Sequence, residues 1–480
     1  MKLTLFLILF LIALLACNLF LISNACFGTA QNSFPSNGLI SSDSTWTKAN
    51  SPYNLTGPVA IQEGVTLTIE PGVVVNLGEF YLQINGTIHA VGTDQNKIQF
   101  LGHTLGFFNE TRHGYITFDQ SSSGSIIENA VVTGDLLLFN SSANFNKDTL
   151  TEGVDITLGA PVFSNCVMQG GIGIYFSSAT VTGCTITGSS GYFGIGRNQD
   201  RNYNVMAVSG DGVTIIANNH ITGNNRGAIT FNNEASSEVS FGGVVFGNTL
   251  YDSYNGIVIR GAGPLIVSNN EIYNCTQDGV YLAEGATATV ERNLIRDNTV
   301  GVYLASPATI QHNTIRNSNT SMQASSEATV AYNNIEGYNQ SIKLTSSANL
   351  NATNNWWGTT DQTAIANSIV DNRVDFNLGA VTFIPFLSAA DSKALPDPNA
   401  PQPTPQPTPT QTSPPTNTPT QSSTSTSTSG PGALLGLDLF QAAAVVFLAA
   451  IFVALVVLVV VLRRGRNKNH ADFSRSTNED

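Results

Sequence analysis

Five charged residues in irregular segments of the chain have side chains that could do chemistry: Asp155, Arg197, Asp200, Arg201 and Glu234. Two carboxylates at a fixed separation can cleave a glycosidic bond, one as the acid and the other as nucleophile or base. A carboxylate base beside a cation, typically calcium, can instead start a β-elimination on a uronate. No motif selects one pair, so these residues are candidates for catalysis, and exposed loops ordinarily carry such charge as well. Calcium is expected only if the reaction is an elimination.

Three tyrosines recur in short segments that begin with glycine, Tyr175 in GIYF and both Tyr281 and Tyr303 in GVYL. In a strand, successive side chains alternate between the two faces, so these rings are expected to point outward. Outward rings on neighbouring strands can stack on a sugar or on each other. The three tyrosines are therefore candidate ligand-binding residues, and packing between the rings is the plainer interpretation.

Other chemistries are not indicated. The six histidines are scattered and no Cys/His spacing fits a zinc site, so no metal is expected. The net charge of −13 and the charged fraction of 11% argue against a nucleic-acid partner. Cys166 and Cys184 are expected one position out of register, on opposite faces of the wall, which disfavours a disulfide.

A repeat determines where these side chains lie. The pattern apolar-x-x-Asn-x-apolar occurs at VERNLI, IQHNTI and VAYNNI, with Asn293, Asn313 and Asn333 spaced 20 apart. Looser copies place Asn219, Asn248 and Asn270 in the same slot, and further back Asn129, Asn165 and Cys184. Eight or nine residues after each slot comes a short strand opening on glycine or serine. A third strand of alternating small and apolar residues leads into the next copy.

A unit of 20 to 24 residues with three short strands cannot bury its own apolar face. Stacking successive units with strands about 4.8 Å apart does bury it. The sequence therefore predicts an all-β parallel β-helix in which the repeated Asn residues form a structural ladder at one corner.

Three intervals between the slots are longer than the basal unit: Asn129 to Asn165, Cys184 to Asn219 and Asn219 to Asn248. In each, the extra residues can be placed after the second strand. The sequence therefore predicts that the segments 140–155, 196–206 and 232–240, which carry the charged candidates, emerge at one corner of neighbouring coils.

The adjacent Trp356 and Trp357 follow the last copy of the repeat. An open end of a β-helix exposes core and unpaired strand edges, so a closing element is required. The tryptophans are expected to begin this cap, although one exposed ring could instead stack on a sugar. A helix with Asp361 as N-cap and a strand pair over 374–387 should complete it.

The two ends of the chain predict export and membrane anchoring. Residues 1–30 read as a signal peptide and 31–390 as the β-helix ectodomain, followed by a Pro/Thr/Ser-rich linker over 391–432. Residues 433–462 are expected to form one transmembrane helix, and the basic flank over 463–480 places the C-terminus in the cytoplasm. Asn-x-Ser/Thr sequons at eight asparagines fit an exported glycoprotein.

These segments resemble right-handed parallel β-helix repeat proteins of prokaryotic surfaces, particularly the stalked archaeal ones, and more distantly the NosD-like and carbohydrate-binding/sugar-hydrolase β-helix group. The residues that carry the resemblance are GVTLTIEPGVVV, the repeated Asn-x-Ile/Leu coils and NNWWGTTD. It implies a pectin lyase-like fold over roughly residues 38–388 and says little about activity.

Three functions remain open. The first is a membrane-anchored surface protein that binds a glycan or another cell-envelope component without catalysis. The second is a polysaccharide lyase or glycoside hydrolase that uses the loops at one corner. The third is a structural spacer of the envelope, which needs neither site.

Overall fold

The computed structural model describes residues 32–33, 38–102, 114–119, 124–188, 204–210, 212–232, 242–261 and 263–405. No helix in these ranges is both long and apolar enough to cross a membrane. The expected signal peptide, the segment 433–462 and most of the linker lie outside them.

The described chain coils through three parallel sheets, which confirms the predicted all-β parallel β-helix. In each coil a strand of the first sheet is followed by one of the second and one of the third. The strands His220–Asn232 and Thr249–Arg260 run around the corner and contribute to both the first and the second sheet.

The other strands of the first sheet are Asn32–Ser33, Tyr53–Asn54, Val74–Gly78, Ile98–Gly102, Ala130–Val132, Thr149–Leu150, Val167–Met168, Thr185–Thr187, Glu271–Tyr273, Leu294–Arg296, Thr314–Arg316 and Asn334–Glu336. The other strands of the second sheet are Gly38–Ile40, Val59–Ile61, Leu82–Ile84, Ile116–Phe118, Leu136–Phe139, Val154–Thr157, Ile172–Tyr175, Asn204–Ser209, Asp278–Leu282, Val300–Leu304, Thr320–Ala324, Gln340–Leu344 and Ile369–Val370. The strands of the third sheet are Ser44–Trp46, Thr66–Ile69, Thr87–Val91, Ile126–Glu128, Asn144–Asn146, Val162–Ser164, Thr180–Thr182, Val213–Ala217, Gly242–Phe246, Leu265–Ser268, Ala288–Glu291, Thr309–Gln311, Thr329–Ala331, Leu350–Asn351 and Val381–Thr382.

Period-two alternation decides which side chains fill the interior. In Val300–Leu304, Val302 and Leu304 are fully buried while Tyr303 between them is half-buried. Equivalent residues of successive coils stack inside, as do the rings of Phe145 and Phe163, whose centroids are 4.6 Å apart. The apolar residues of three short strands thus form one continuous core along the axis.

The corner between the third and first sheets is made by one residue in the left-handed conformation. Arg292, His312 and Tyr332 have φ of 55°, 54° and 60° at this position. In this conformation the chain turns sharply within one residue, and each of these residues is followed directly by a ladder position. Asparagine often occupies the corner because it tolerates this conformation better than most residues.

The ladder residue satisfies the backbone groups that the corner buries. Asn313 is fully buried, and its Oδ1 accepts hydrogen bonds from the backbone N–H and the Nδ2 of Asn293 on the preceding coil. Its own Nδ2 donates to the Oδ1 of Asn333 and to the carbonyls of Val290 and Gln311. The same pattern runs through the predicted residues and ends at Asn355: Asn219, Asn248, Asn270, Asn293, Asn313 and Asn333.

The first part of the ladder differs from the sequence prediction. Asn129 and Asn165 were expected in the slot, but both have positive φ and occupy the corner one residue earlier. The slot itself holds Ala130, Asp148, Cys166 and Cys184, as the pairing of Val167 with Thr185 shows for the two cysteines. The prediction that Cys166 and Cys184 are out of register is therefore wrong; both are buried in the same column as free thiols.

The long interval from Asn129 to Asn165 is not an insertion. It contains a complete extra coil with the strands Asn144–Asn146, Thr149–Leu150 and Val154–Thr157. The repeat was missed because Asp148, rather than asparagine, occupies the ladder position of this coil.

The C-terminal end is closed by a cap. Trp357 is 1% exposed and packs edge-on against Phe383, with ring centroids 6.3 Å apart, while the Nε1 of the half-buried Trp356 donates to Glu336. The helix Gln362–Asn367 begins after Asp361, whose side chain accepts from the N–H groups of Thr363 and Ala364. The expected strand pair over 374–387 is wrong, since Ile369–Val370 and Val381–Thr382 instead extend the second and third sheets.

Residues 391–397, at the start of the expected linker, lie back along the β-helix. Asn334 exchanges two hydrogen bonds with the backbone of Asp391, and Asn269 does the same with Asp397. Ala394 between them is fully buried, and its carbonyl accepts from the hydroxyl of Thr314. This segment covers the corner between the third and first sheets over several coils.

Replacing Asn313 by Ala should destabilise the protein by about 3 kcal/mol or more, because it leaves buried donors and acceptors on both neighbouring coils without partners. Urea unfolding followed by circular dichroism measures this. The exposed Asn319→Ala is the control and should change stability by no more than about 0.5 kcal/mol. Equal effects of the two substitutions would contradict the assigned role of the ladder.

Asp148→Asn should stabilise the protein increasingly between pH 4 and pH 8. Burial raises the pKa of Asp148 from 3.8 to about 8, since the residue is only 1% exposed. A carboxyl whose pKa is raised on folding reduces stability by about 1.4 kcal/mol for each pH unit between its unfolded and folded pKa, and not below the lower one. The neutral amide avoids this penalty and can donate to the carbonyl of Ile127, as Asn219 donates to that of Val181.

Denaturant titrations of both proteins at several pH values measure the difference. A gap between them that stays constant from pH 4 to pH 8 would show that Asp148 does not titrate in this range.

Candidate functional site

The outward face of the second sheet carries one column of equivalent residues along the axis. Strand register places Gly173, Ala207, Thr230 and Val258 in this column, followed by Tyr281, Tyr303, Gln323 and Lys343. Small side chains are thus followed by two rings and then by two long polar side chains. Gly173, Thr230 and Val258 are buried, whereas Tyr281, Tyr303, Gln323 and Lys343 are at least partly exposed.

Tyr281 and Tyr303 lie on adjacent coils with ring centroids 4.9 Å apart and an angle of 19° between the ring planes. Both residues are half-buried. Burial raises the pKa of the Tyr281 hydroxyl, with a further contribution from Tyr303. The two rings are therefore stacked against each other, and each ring carries one hydroxyl.

Charged groups border this ring pair. Asp278 begins the strand that carries Tyr281, and burial raises its pKa from 3.8 to about 6. Its backbone N–H donates to the Oδ1 of Asn255 on the preceding coil. Arg260 lowers the pKa of Tyr281 and Asp278 raises it, so both charges act on the hydroxyl of this ring. A carboxyl that titrates near pH 6 can exchange protons near neutrality.

The structure does not bring all the predicted ligand-binding tyrosines together. Tyr175 pairs with Ser209, whereas Gly173 occupies the column that leads to Tyr281. Tyr175 therefore faces outward one column away and four coils from Tyr281, about 19 Å along the axis at the usual strand spacing. The sequence prediction aligned Gly173 with Gly279, the glycines that open the two segments. In the structure, Gly173 instead occupies the same column as Tyr281, so the predicted register of Tyr175 is wrong.

The catalytic candidates are not assembled within the described part of the chain. Asp155 lies in the same column as Tyr281, five coils earlier and thus about 24 Å away. Arg197, Asp200, Arg201 and Glu234 lie outside the described residues.

The prediction of one loop corner is wrong. Residues 189–203 precede the second-sheet strand Asn204–Ser209, whereas residues 233–241 follow the strand that ends at Asn232. Asn204 and Asn232 thus stand at opposite ends of second-sheet strands. The segment 140–155 belongs to a regular coil and is not a loop.

A second stacked pair lies on a different face. The rings of Tyr251 and Tyr273 on the first sheet have centroids 5.4 Å apart, and the guanidinium of Arg296 lies 3.9 Å from the centre of the Tyr273 ring. Arg296 also forms ion pairs with Glu271 and Asp297. Since Arg296 covers one ring, this pair presents less free aromatic surface than Tyr281 and Tyr303.

Several of these residues were not identified from the sequence. Tyr251 and Tyr273 each stand three positions after a ladder asparagine, a spacing that could have revealed the pair. Asp278 and Arg260 gave no such signal, since the proximity of Arg260 to Tyr281 depends on strand register and the raised pKa of Asp278 depends on burial. Within the described ranges, no group of three or more His, Cys, Asp or Glu side chains could hold a metal ion.

One comparison with known proteins supports the fold of part of the chain. Residues 206–377 match a family model described as a right handed beta helix region. A search of curated proteins found no match. Solved structures with a similar course include the periplasmic alginate epimerase AlgG, at 13% identity and a TM-score of 0.35, with 73% of this chain and 82% of that chain covered.

The Dettilon tailspike protein is similar at 14% identity and a TM-score of 0.35, with 70% of this chain and 62% of that chain covered. At these scores the likeness carries no information about activity. The strand pairing shows that the described chain has a parallel β-helix repeat fold, and residues 206–377 of it match the family model of a right handed beta helix region.

Proposed function

We propose that this protein binds an extended glycan or polysaccharide along the outward face of the second sheet, without turning it over. The observation that carries the proposal is the stacked pair Tyr281 and Tyr303, half-exposed on adjacent coils. Sugar rings present C–H groups on their faces, and aromatic rings bind such apolar faces.

Polar side chains beside the rings suit the hydroxyl groups of a sugar. Gln323 and Lys343 continue the column on one side of the rings, where both are at least partly exposed. Because the column runs along the solenoid axis, it suits a linear ligand better than a compact one. The ordered strands hold these side chains in place before binding, which limits the loss of conformational entropy.

The setting that we propose is the cell surface. The apolar N-terminus fits export, the uncharged segment within 433–462 fits a single membrane anchor, and the Pro/Thr-rich segment after the β-helix fits a spacer. A glycan or envelope component is then the partner that this face would meet.

Tyr281→Ala and Tyr303→Ala should each weaken glycan binding by roughly tenfold, since loss of one aromatic contact of about 1 to 1.5 kcal/mol changes affinity by that factor. A glycan array with the full chain identifies the ligand, and isothermal titration calorimetry of the variants gives the affinities. Tyr251→Ala is the matched control, because it removes one ring of a stacked pair on another face.

If Tyr251→Ala weakens glycan binding and Tyr281→Ala does not, the binding site lies on the first sheet. Absence of binding to every glycan tested would contradict the proposal.

A specific observation favours one alternative, an enzyme that cleaves polysaccharide on the same face. Asp278, whose pKa burial raises to about 6, lies on the strand that carries Tyr281 and raises the pKa of the Tyr281 hydroxyl. Such a carboxyl could act as the base or the acid of a hydrolysis or an elimination.

If the alternative holds, polysaccharide cleavage should depend on pH with a midpoint near 6 and should be abolished in Asp278→Asn. Activity would rise with pH through this midpoint if Asp278 acts as the base and fall if it acts as the acid. Release of reducing sugars and of unsaturated uronates from pooled polysaccharides measures both reactions. Cleavage that is unchanged in Asp278→Asn would exclude this residue.

A further inference from the structure

All eight Asn-x-Ser/Thr segments of the chain satisfy the sequon, and the structure distinguishes among those that it describes. A glycan on such a site is joined to the Nδ2 atom of asparagine, so that atom must face solvent in the folded protein. Asn109 lies outside the described residues. The other seven are Asn54, Asn85, Asn140, Asn274, Asn319, Asn339 and Asn351.

Three sequons have an Nδ2 atom that is buried or already engaged. The Nδ2 of Asn54 is inaccessible to solvent. The Nδ2 of Asn274 donates to Asp252, and the Nδ2 of Asn339 donates to the Oδ1 of Asn319. A glycan at any of these would require the side chain to leave its present contacts.

Two sequons on adjacent coils have an inaccessible hydroxyl residue. The serines two positions after Asn319 and Asn339 are Ser321 and Ser341, and both are fully buried in the wall. The Oγ of Ser341 also contacts the backbone and side chain of Ser368. The hydroxyl that defines the sequon is therefore out of reach in the folded protein.

In the described structure, the side chains of Asn85 and Asn140 are not held by a hydrogen bond to the hydroxyl of their sequon. Asn85 is half-buried and followed by Gly86, where even a Cβ atom would lie 2.3 Å from the carbonyl oxygen of Gln62. Asn140 and Ser142 are both exposed, but no hydrogen bond joins their side chains in the described structure.

Asn351 differs from the others. The residue is exposed, and its Oδ1 accepts hydrogen bonds from the backbone N–H of Thr353 at 3.2 Å and from the Thr353 hydroxyl at 3.0 Å. These two hydrogen bonds hold the Asn351 amide through its Oδ1 atom, and both come from Thr353, the hydroxyl residue of the same sequon. Within the described part of the chain, its Nδ2 donates to no other atom.

We propose that Asn351 is a site of N-linked glycosylation, with Thr353 as the residue that positions its amide. The donor is an oligosaccharide linked to a polyprenyl phosphate or pyrophosphate. The Nδ2 atom forms a bond to the anomeric carbon and loses one proton to a base of the transferase, while the bond from that carbon to the phosphate oxygen breaks and the lipid phosphate leaves.

The position of Asn351 suits such a modification. It lies in the third sheet between Thr329 and Thr382, near the cap. The proposed ligand-binding rings lie on the second sheet, so a glycan at Asn351 leaves that face uncovered. The modification therefore does not depend on the proposed function.

The experiment is glycopeptide mass spectrometry of the full chain, recovered from the secretory membranes of a host with N-glycosylation. We expect a glycan on Asn351 and none on Asn54. Asn351→Gln and Thr353→Val should abolish the modification at this site, and Thr353→Ser, which keeps the hydroxyl, should retain it. Asn54→Gln is the matched control and should leave the glycan pattern unchanged.

An unmodified Asn351 in the recovered chain would overturn the proposal, as would a modification that persists in Thr353→Val. Thermal unfolding of each variant establishes that it is folded, which is expected since Thr353 is only half-buried. A glycan that occurs on Asn54 as often as on Asn351 would show that the folded structure does not govern occupancy, and would also overturn the assignment.

Discussion

Each coil of this protein turns sharply between the third and first sheets, and that turn buries backbone groups that water can no longer reach. Buried backbone N–H and C=O groups without a hydrogen-bond partner destabilise the fold, so a side chain in the wall must pair with those at the turn. An asparagine supplies it, since its amide both accepts from the coil before and donates to the coil after. The run from Asn219 to Asn355 is therefore the contact on which the stacking of the C-terminal coils depends.

The ladder has consequences on the outer surface. Because every coil is held in register, outward residues of the second sheet form a straight column with a constant spacing. Tyr281 and Tyr303 stack for this reason, and Tyr251 and Tyr273 do the same on the first sheet. A rigid array of side chains is a consequence of the solenoid, and the identity of the residues in each column determines what it can bind.

The N-terminal half of the ladder shows how far the rule can be relaxed. Asp148 keeps the hydrogen bond to the backbone N–H of Ala130, although burial raises its pKa far above the usual range. Cys184 accepts the N–H of Cys166 through sulfur at 3.4 Å and contacts the carbonyl of Phe163. These residues replace part of the asparagine pattern, which explains why this half of the repeat is hard to recognise.

The sequence by itself determined the fold class, the ladder residues Asn219 to Asn333 and the capping helix, because periodic apolar positions and a repeated polar slot depend only on local spacing. It did not determine strand register before Asn219, where Asp148 and the cysteines replace asparagine in the ladder. One whole coil was therefore not recognised, and Tyr175 was assigned to the wrong column. Nor could the sequence group Arg260 with Tyr281, show that Asp278 is buried, or distinguish Asn351 from the other sequons. Those relations join residues on different coils, or depend on which atoms the wall buries, and only the tertiary structure decides them.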